Sequence, residues 1–186
     1  MNRPLSLLAV LLCALPVFAT PQLQTSGKPA APAAPKNGFR AEFLTNLDDV
    51  QEKILELATT MPAEKYAWRP GEGVRSIGEV FMHVAGGNYF LATFVGKQPP
   101  TDIPKDLERI TDKQRVIAEL RRSFEHVRTV VTNASDADLE RPVRMFGTTT
   151  SHRGVYVAML NHLHEHLGQS IAYARMNGVV PPWSGR

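Results

Sequence analysis

The stretch VYVAMLNHLHEHLGQSIAY, residues 155–173, decides the reading of the chain. Val155, Met159, His162, His166, Gln169 and Tyr173 recur in it at steps of three and four, the spacing of one face of an α-helix. Thr150 or Ser151 can cap the start of this helix, and Asn177-Gly178 followed by Pro181-Pro182 ends it. Its face is core-like except that two histidines occupy the middle.

Three more helices can be read N-terminal to it. Ile117, Leu120, Phe124, Val127 and Val131 form an apolar stripe that ends before a long connection, Thr132 to Thr150. Pro99, Pro100 and Pro104 mark the loop that precedes this stripe. Upstream of that loop, Ser76-Ile77-Gly78-Glu79 has the form of a capping box, and the helix it starts should bury Val80, Val84, Gly87, Leu91 and Phe94. The first stripe is Phe43, Leu47, Val50, Ile54, Leu57 and Met61, with charged residues between. No segment sustains a period of two. The expected fold is all-α, a four-helix bundle; up-down-up-down is the simplest order, although the long loops permit crossovers.

The remaining composition limits what the domain can do. Of 186 residues 43% are hydrophobic and 21% charged, enough for one ordinary core. The formal charge of +3 is spread over 21 basic and 18 acidic residues with no basic run, so nucleic acid is not an expected partner. Arg3, the apolar run from Leu5 to Leu15 and Val17-Phe18-Ala19 have the form of a secretory signal peptide, residues 1–19. The run falls short of the roughly 18 residues of a membrane span, so no stable membrane anchor is expected after cleavage. Residues 20–37 are rich in Pro and Ala and read as a disordered linker, leaving a domain over 38–183. The expected location is periplasmic or secreted.

Cys13, the only cysteine, lies in the apolar run of the signal peptide, and Leu12 before it does not suit a lipoprotein anchor. The mature chain then has no thiol for a disulfide, a metal or a nucleophile. Any metal must be held by nitrogen and oxygen.

Six histidines remain to be sorted. His162 and His166, four apart on a helix, stand about 6 Å apart at Cβ and can share one ion. Hydrogen-bonded structural histidines in a bundle interior have the same spacing. His83 borders the apolar stripe of the second helix and can point inward, which turns the pair into a candidate triad on two helices. His126 shares a face with Glu119, Arg122 and Thr129, which reads as solvated. His152 lies about 15 Å along the axis from His162, too far to share its ion. His164 is rotated about 200° from His162 and faces away. The His-Glu-x-x-His spacing of a zinc protease is absent.

Arg75-Ser76-Ile77-Gly78-Glu79 leading to His83, and His162-x-x-x-His166-x-Gly168-Gln169, resemble the two signature regions of the DinB-like family. Tyr66-Ala67-Trp68-Arg69-Pro70 and Ser123-Phe124-Glu125-His126-Val127 add to the likeness, which spans Gly38 to Trp183. The resemblance implies a four-helix bundle with three histidine ligands, here His83, His162 and His166. The family often has a basic residue after the last ligand, where this chain has Leu167. Gly168 could allow close helix approach, with ordinary packing as its alternative. Gln169 could orient a ligand, with ordinary packing as its alternative, and Tyr173 is a candidate for the pocket or the core.

Three imidazoles favour zinc, nickel or iron(II) over the oxygen-seeking magnesium and calcium. Three protein ligands also leave coordination positions open, as in catalytic sites. Metal-dependent hydrolysis fits such a site, and thiol-dependent transfer enters through the resemblance. The alternative is a non-catalytic envelope binding or stress protein stabilised by its metal. The expected partners are a small-molecule substrate and a second copy of the chain in a homodimer. No residue is singled out as catalytic.

Overall fold

The computed structural model describes residues 33–185; the expected signal peptide and most of the expected linker lie outside the described residues. Residues 33–37 have no regular structure and lead into α1 (Gly38–Thr60), whose stripe from Phe43 to Met61 is buried as its spacing predicts. Helix α2 (Ile77–Thr93) begins at the expected capping box. Ser76 Oγ accepts the Glu79 amide proton at 3.3 Å, and Glu79 Oε2 accepts that of Ser76 at 2.6 Å. Helix α3 (Lys113–Asn133) buries Leu120, Phe124, Val127 and Val131. Val116 takes the core position at its start, and Ile117 is only partly buried. Helix α5 (His152–Met176) is capped by Ser151, whose Oγ accepts from the Gly154 amide at 3.2 Å.

The order around the bundle departs from the up-down-up-down expectation. Helix α1 packs on α3 and α5, and α2 packs on the same two, so α1 and α2 are diagonal. Arg40 at the start of α1 bonds Asp136 just beyond α3, while Lys113 at the start of α3 donates to the Thr59 and Met61 carbonyls at the end of α1, each at 2.7 Å. These two helices are antiparallel. Between α2 and α3, Asn88 Nδ2 donates to Ser123 Oγ at 3.0 Å, and the Tyr89 and His126 rings lie 5.4 Å apart further along both helices, so this pair is parallel. Opposite α2, α5 runs the other way, because His83 faces His166 and Gly87 faces His162. The sense is therefore up-down-down-up.

Chain length makes this order accessible. To start α3 at the end where α2 starts, the chain must recross a bundle about 30 Å long at 1.5 Å per residue. Residues 94–112 separate the two helices, and at about 3.3 Å per extended residue they reach that far with slack. Within them a 3₁₀ turn, Leu107–Arg109, packs on α2.

The connection between α3 and α5 also holds structure that the sequence did not suggest. A one-turn helix α4 (Asp136–Leu139) precedes β1 (Pro142–Met145) and β2 (Thr148–Ser151), an antiparallel hairpin in the register Pro142↔Ser151 to Met145↔Thr148. Its two-residue tip is Phe146-Gly147, with φ of 48° and 83°. Positive φ at both positions matches the right-handed twist of the flanking strands. Four-residue strands are too short to establish a period. Among the described residues no helix is long and apolar enough to cross a membrane.

Because the Ser76 cap sets where α2 begins, Ser76→Ala should lower the unfolding free energy by about 1 kcal/mol and Ser76→Gly by only a few tenths. Urea titrations of the two variants beside the parent chain check this; equal losses would remove the cap from the account.

Candidate metal centre

Helices α2 and α5 bring His83, His162 and His166 together. One ring nitrogen from each lies within 4.8 Å of the others. Ring centroids are 5.2 Å apart for His83 and His162, 4.7 Å for His83 and His166, and 4.5 Å for His162 and His166. The helical pair arises from its i, i+4 spacing on α5, and His83 enters from the antiparallel α2, about two turns inside its N-terminus.

Two of the rings are held from outside the cluster. His83 Nδ1 donates to Glu108 Oε1 at 3.1 Å, and Arg75 Nε donates to both oxygens of the same carboxylate at 3.0 and 3.1 Å. His166 Nδ1 donates to Gln169 Oε1 at 2.8 Å, and Gln169 Nε2 donates to the Tyr173 hydroxyl at 3.0 Å. Trp68 meets the Tyr173 ring edge-on at 5.5 Å, so the loop before α2 backs this chain. With a proton held at Nδ1, each of these two rings keeps an Nε2 lone pair for the cluster. Outward hydrogen bonds of this kind fix tautomer and orientation in histidine ligands.

His162 completes the cluster without an outer partner. Its Nδ1 is buried and unpartnered, and its Nε2 is 3.4 Å from His83 Nε2. A proton on Nε2 leaves Nδ1 bare, and a proton on Nδ1 leaves a buried donor unused, so neither tautomer is satisfied by protein alone. A shared cation fits the donor set. Two nitrogens about 2.1 Å from one tetrahedral ion stand about 3.4 Å apart.

Electrostatics favour the neutral form of His162 and His83. Burial, followed by the neighbouring His166 and His83 and the Arg75 cation, brings His162 from 6.5 down to about 4. Burial also lowers His83, with Arg75 and His166 adding to it and Glu108 opposing. Neutral imidazoles are the form that binds metal.

Room for the His162 ring comes from α2. A Cβ on Gly87 would stand 2.2 Å from His162 Cε1 and within 2.9 Å of both ring nitrogens, so no side chain fits there. Beside the cluster is a cavity of about 380 Å³, with His83 and His162 at one side and Phe90, Leu91, Phe146 and Ala158 forming its apolar walls. A second, of about 410 Å³, lies across His83 against Lys105, Leu107 and Glu108.

The other expectations divide. Gln169 and Tyr173 form the hydrogen-bonded chain behind His166, and Tyr173 is itself buried. Gly168 does not serve helix approach: it is exposed, and a Cβ there would meet nothing. His126 is not on a solvated face; it is half-buried, its ring 5.4 Å from that of Tyr89 and its Nε2 enclosed. Tyr89 on the neighbouring α2 accounts for this, its ring lying against that of His126. His152 is buried at the start of α5, and exposed His164 donates from Nδ1 to the Leu160 carbonyl at 2.8 Å. Leu167 is a buried core residue. Sequence reasoning missed Glu108, which carries no local signal, and the role of Gly87, for which a glycine inside an apolar helical stripe was the available sign.

Comparison with known proteins follows the same lines. The family model described as the DinB superfamily matches residues 46–170. The solved structure of a DinB-like protein from Bacillus cereus ATCC 10987 superposes with a TM-score of 0.63 at 18% identity, covering 75% of this chain and 93% of that one. A DinB-like protein from Bacillus subtilis gives a TM-score of 0.59 at 18% identity, covering 74% and 92%. At these identities the two structures speak for the fold. A comparison with curated proteins gives no match.

Gly→Ala inside a helix ordinarily stabilises by about 1 kcal/mol. At Gly87 the sign should reverse, with a loss of about 1–3 kcal/mol from overpacking and the His162 ring displaced. Thermal melts and a crystal structure of Gly87→Ala test it, and an unmoved ring would refute it. A second expectation concerns pH. Between 6.5 and about 4 the unfolded chain protonates His162 and the folded chain does not, so metal-free protein loses stability as pH falls through that window. His162→Gln should flatten part of that slope in denaturation curves recorded from pH 7 to 4.5.

Proposed function

The chain belongs to the DinB superfamily, and on that footing we propose that it binds one divalent metal ion through His83, His162 and His166 and uses it in catalysis outside the cytoplasm. The observation that carries this reading is the convergence of three imidazoles, two of them tied by outward hydrogen bonds that leave Nε2 free. Zinc, nickel and iron(II) suit the donor set. Such an ion supplies Lewis acidity to an oxygen or sulfur of a substrate, which serves hydrolysis or thiol transfer.

The protein's own groups have separate tasks in this scheme. Glu108, itself held by Arg75, fixes the His83 tautomer, and Gln169 with Tyr173 does the same for His166. Phe90, Leu91, Phe146 and Ala158 line a space beside His83 and His162 with apolar surface. That adjoining space favours chemistry over the rival reading, a non-catalytic envelope protein whose ion only stabilises the bundle. Export rests on the form of residues 1–19.

The test begins with protein expressed with its native first residues. It should be recovered from the periplasm or medium starting near Thr20, with one metal ion per chain by elemental analysis. His83→Ala, His162→Ala and His166→Ala should each lose that ion, and retention in any one removes that residue from the site. Metal at a hundred times its Kd should raise stability by about 2.7 kcal/mol. Turnover of ester, amide or thiol-transfer substrates that vanishes with the metal supports catalysis. Metal-dependent stability without turnover in any of these classes selects the rival.

A further inference from the structure

We propose that the cavity beside the triad takes a neutral apolar arm, about as long as a short alkyl chain, on a substrate whose polar head reaches the metal, and that Phe146 determines this specificity. The inference rests on the metal reading above and adds to it the substrate class.

The cavity wall is apolar wherever it is not histidine. Phe90, Leu91, Phe146 and Ala158 face His83 and His162 across about 380 Å³, at the small end of the range for ligand pockets. Among the described residues no carboxylate, ammonium or guanidinium lines it, so a charged arm would lose its hydration without a partner. The polar contacts available to a ligand lie at the histidine end.

Phe146 is placed there against its own backbone preference. Its φ of 48° lies in the left-handed region, which a bulky side chain rarely adopts and which Asn or Gly would occupy readily at this turn position. Burial does not explain the choice, because the residue is 69% exposed. Its ring sits 6.2 Å from Phe90 and 5.4 Å from Phe94, and Phe90 is itself 52% exposed. Both strands of the hairpin that carries it pack on α5. Strain retained at a site edge, on a docked hairpin and over an apolar space, is what a ligand contact would account for. A second copy of the chain could also cover exposed aromatic rings, but it would not use the space that runs in to His83 and His162.

Acetohydroxamic and hexanohydroxamic acid, which share a metal-binding head and differ in the arm, serve as probes. They are titrated by calorimetry into the metal-loaded parent, Phe146→Asn and Ala158→Leu, the last of which fills the cavity from α5. At about fourfold per buried methylene, the longer probe should bind the parent at least about tenfold more tightly. Phe146→Asn should weaken the longer probe by about tenfold, leave the shorter within about twofold, and keep the parent melting temperature, since Asn suits the turn. Ala158→Leu should show the same selective loss. Equal affinities for the two probes in metal-loaded parent would overturn this inference alone. So would a Phe146→Asn variant that weakens both probes alike, or one that changes only the oligomeric state. A parent chain that takes up no metal overturns the triad reading and this inference with it.

Discussion

An imidazole ring needs more width than an ordinary contact between two helices provides, and at the crossing of α2 and α5 that width depends on Gly87. A Cβ there would coincide with the His162 ring, so the triad exists only where one helix presents bare backbone to the other. The cost is local. Glycine inside a helix gives up about 1 kcal/mol relative to alanine, and α2 offsets it by enclosure, with Val80, Phe81, Met82, Val84 and Ala85 all buried and a full capping box at its start. The histidines impose a second local cost. Nδ1 of His162 is buried without a partner, while its Nε2 lies beside His83 Nε2, where the lone pairs of His83 and His166 are kept free by their outward hydrogen bonds.

What orients those lone pairs does not come from the two ligand-bearing helices alone. Glu108 sits on the segment that recrosses the bundle between α2 and α3, and Arg75 reaches it from just before the α2 cap. The up-down-down-up order therefore has a chemical consequence. A short turn from α2 into an antiparallel α3 would have omitted the long return path that brings a carboxylate to His83. The same return path reaches α3, where its Asp102 pairs with Arg122.

The four helices, their inward faces and the inward histidine positions were legible in the sequence because each depends on spacing within one segment. Phe43 to Met61 and Val155 to Tyr173 announce their buried sides by steps of three and four, and Ser76 with Glu79 announces a helix start. The order of helices was not legible, since an apolar stripe says that a face is covered and not by which neighbour. For the same reason His126 was misplaced: its own helix is polar on that side, and the ring that packs against it, Tyr89, stands on α2. The hairpin escaped notice because Val143 and Met145 alternate with Arg144 for only four residues, and Thr148 to Ser151 carry no apolar signal at all. Gly168 shows the converse error, in which a glycine near a ligand suggested crowding and in fact faces open space.

The hairpin also bears on how such a domain could diversify. Its tip contributes a wall to the cavity, yet it contributes no ligand, and Phe146 is largely outside the packed interior. Substitutions at that tip change a cavity wall without touching the three clustered rings, their outer hydrogen bonds or the four helices. In an evolving lineage that separation lets the cavity wall vary under selection while the bundle and the histidine cluster are inherited intact.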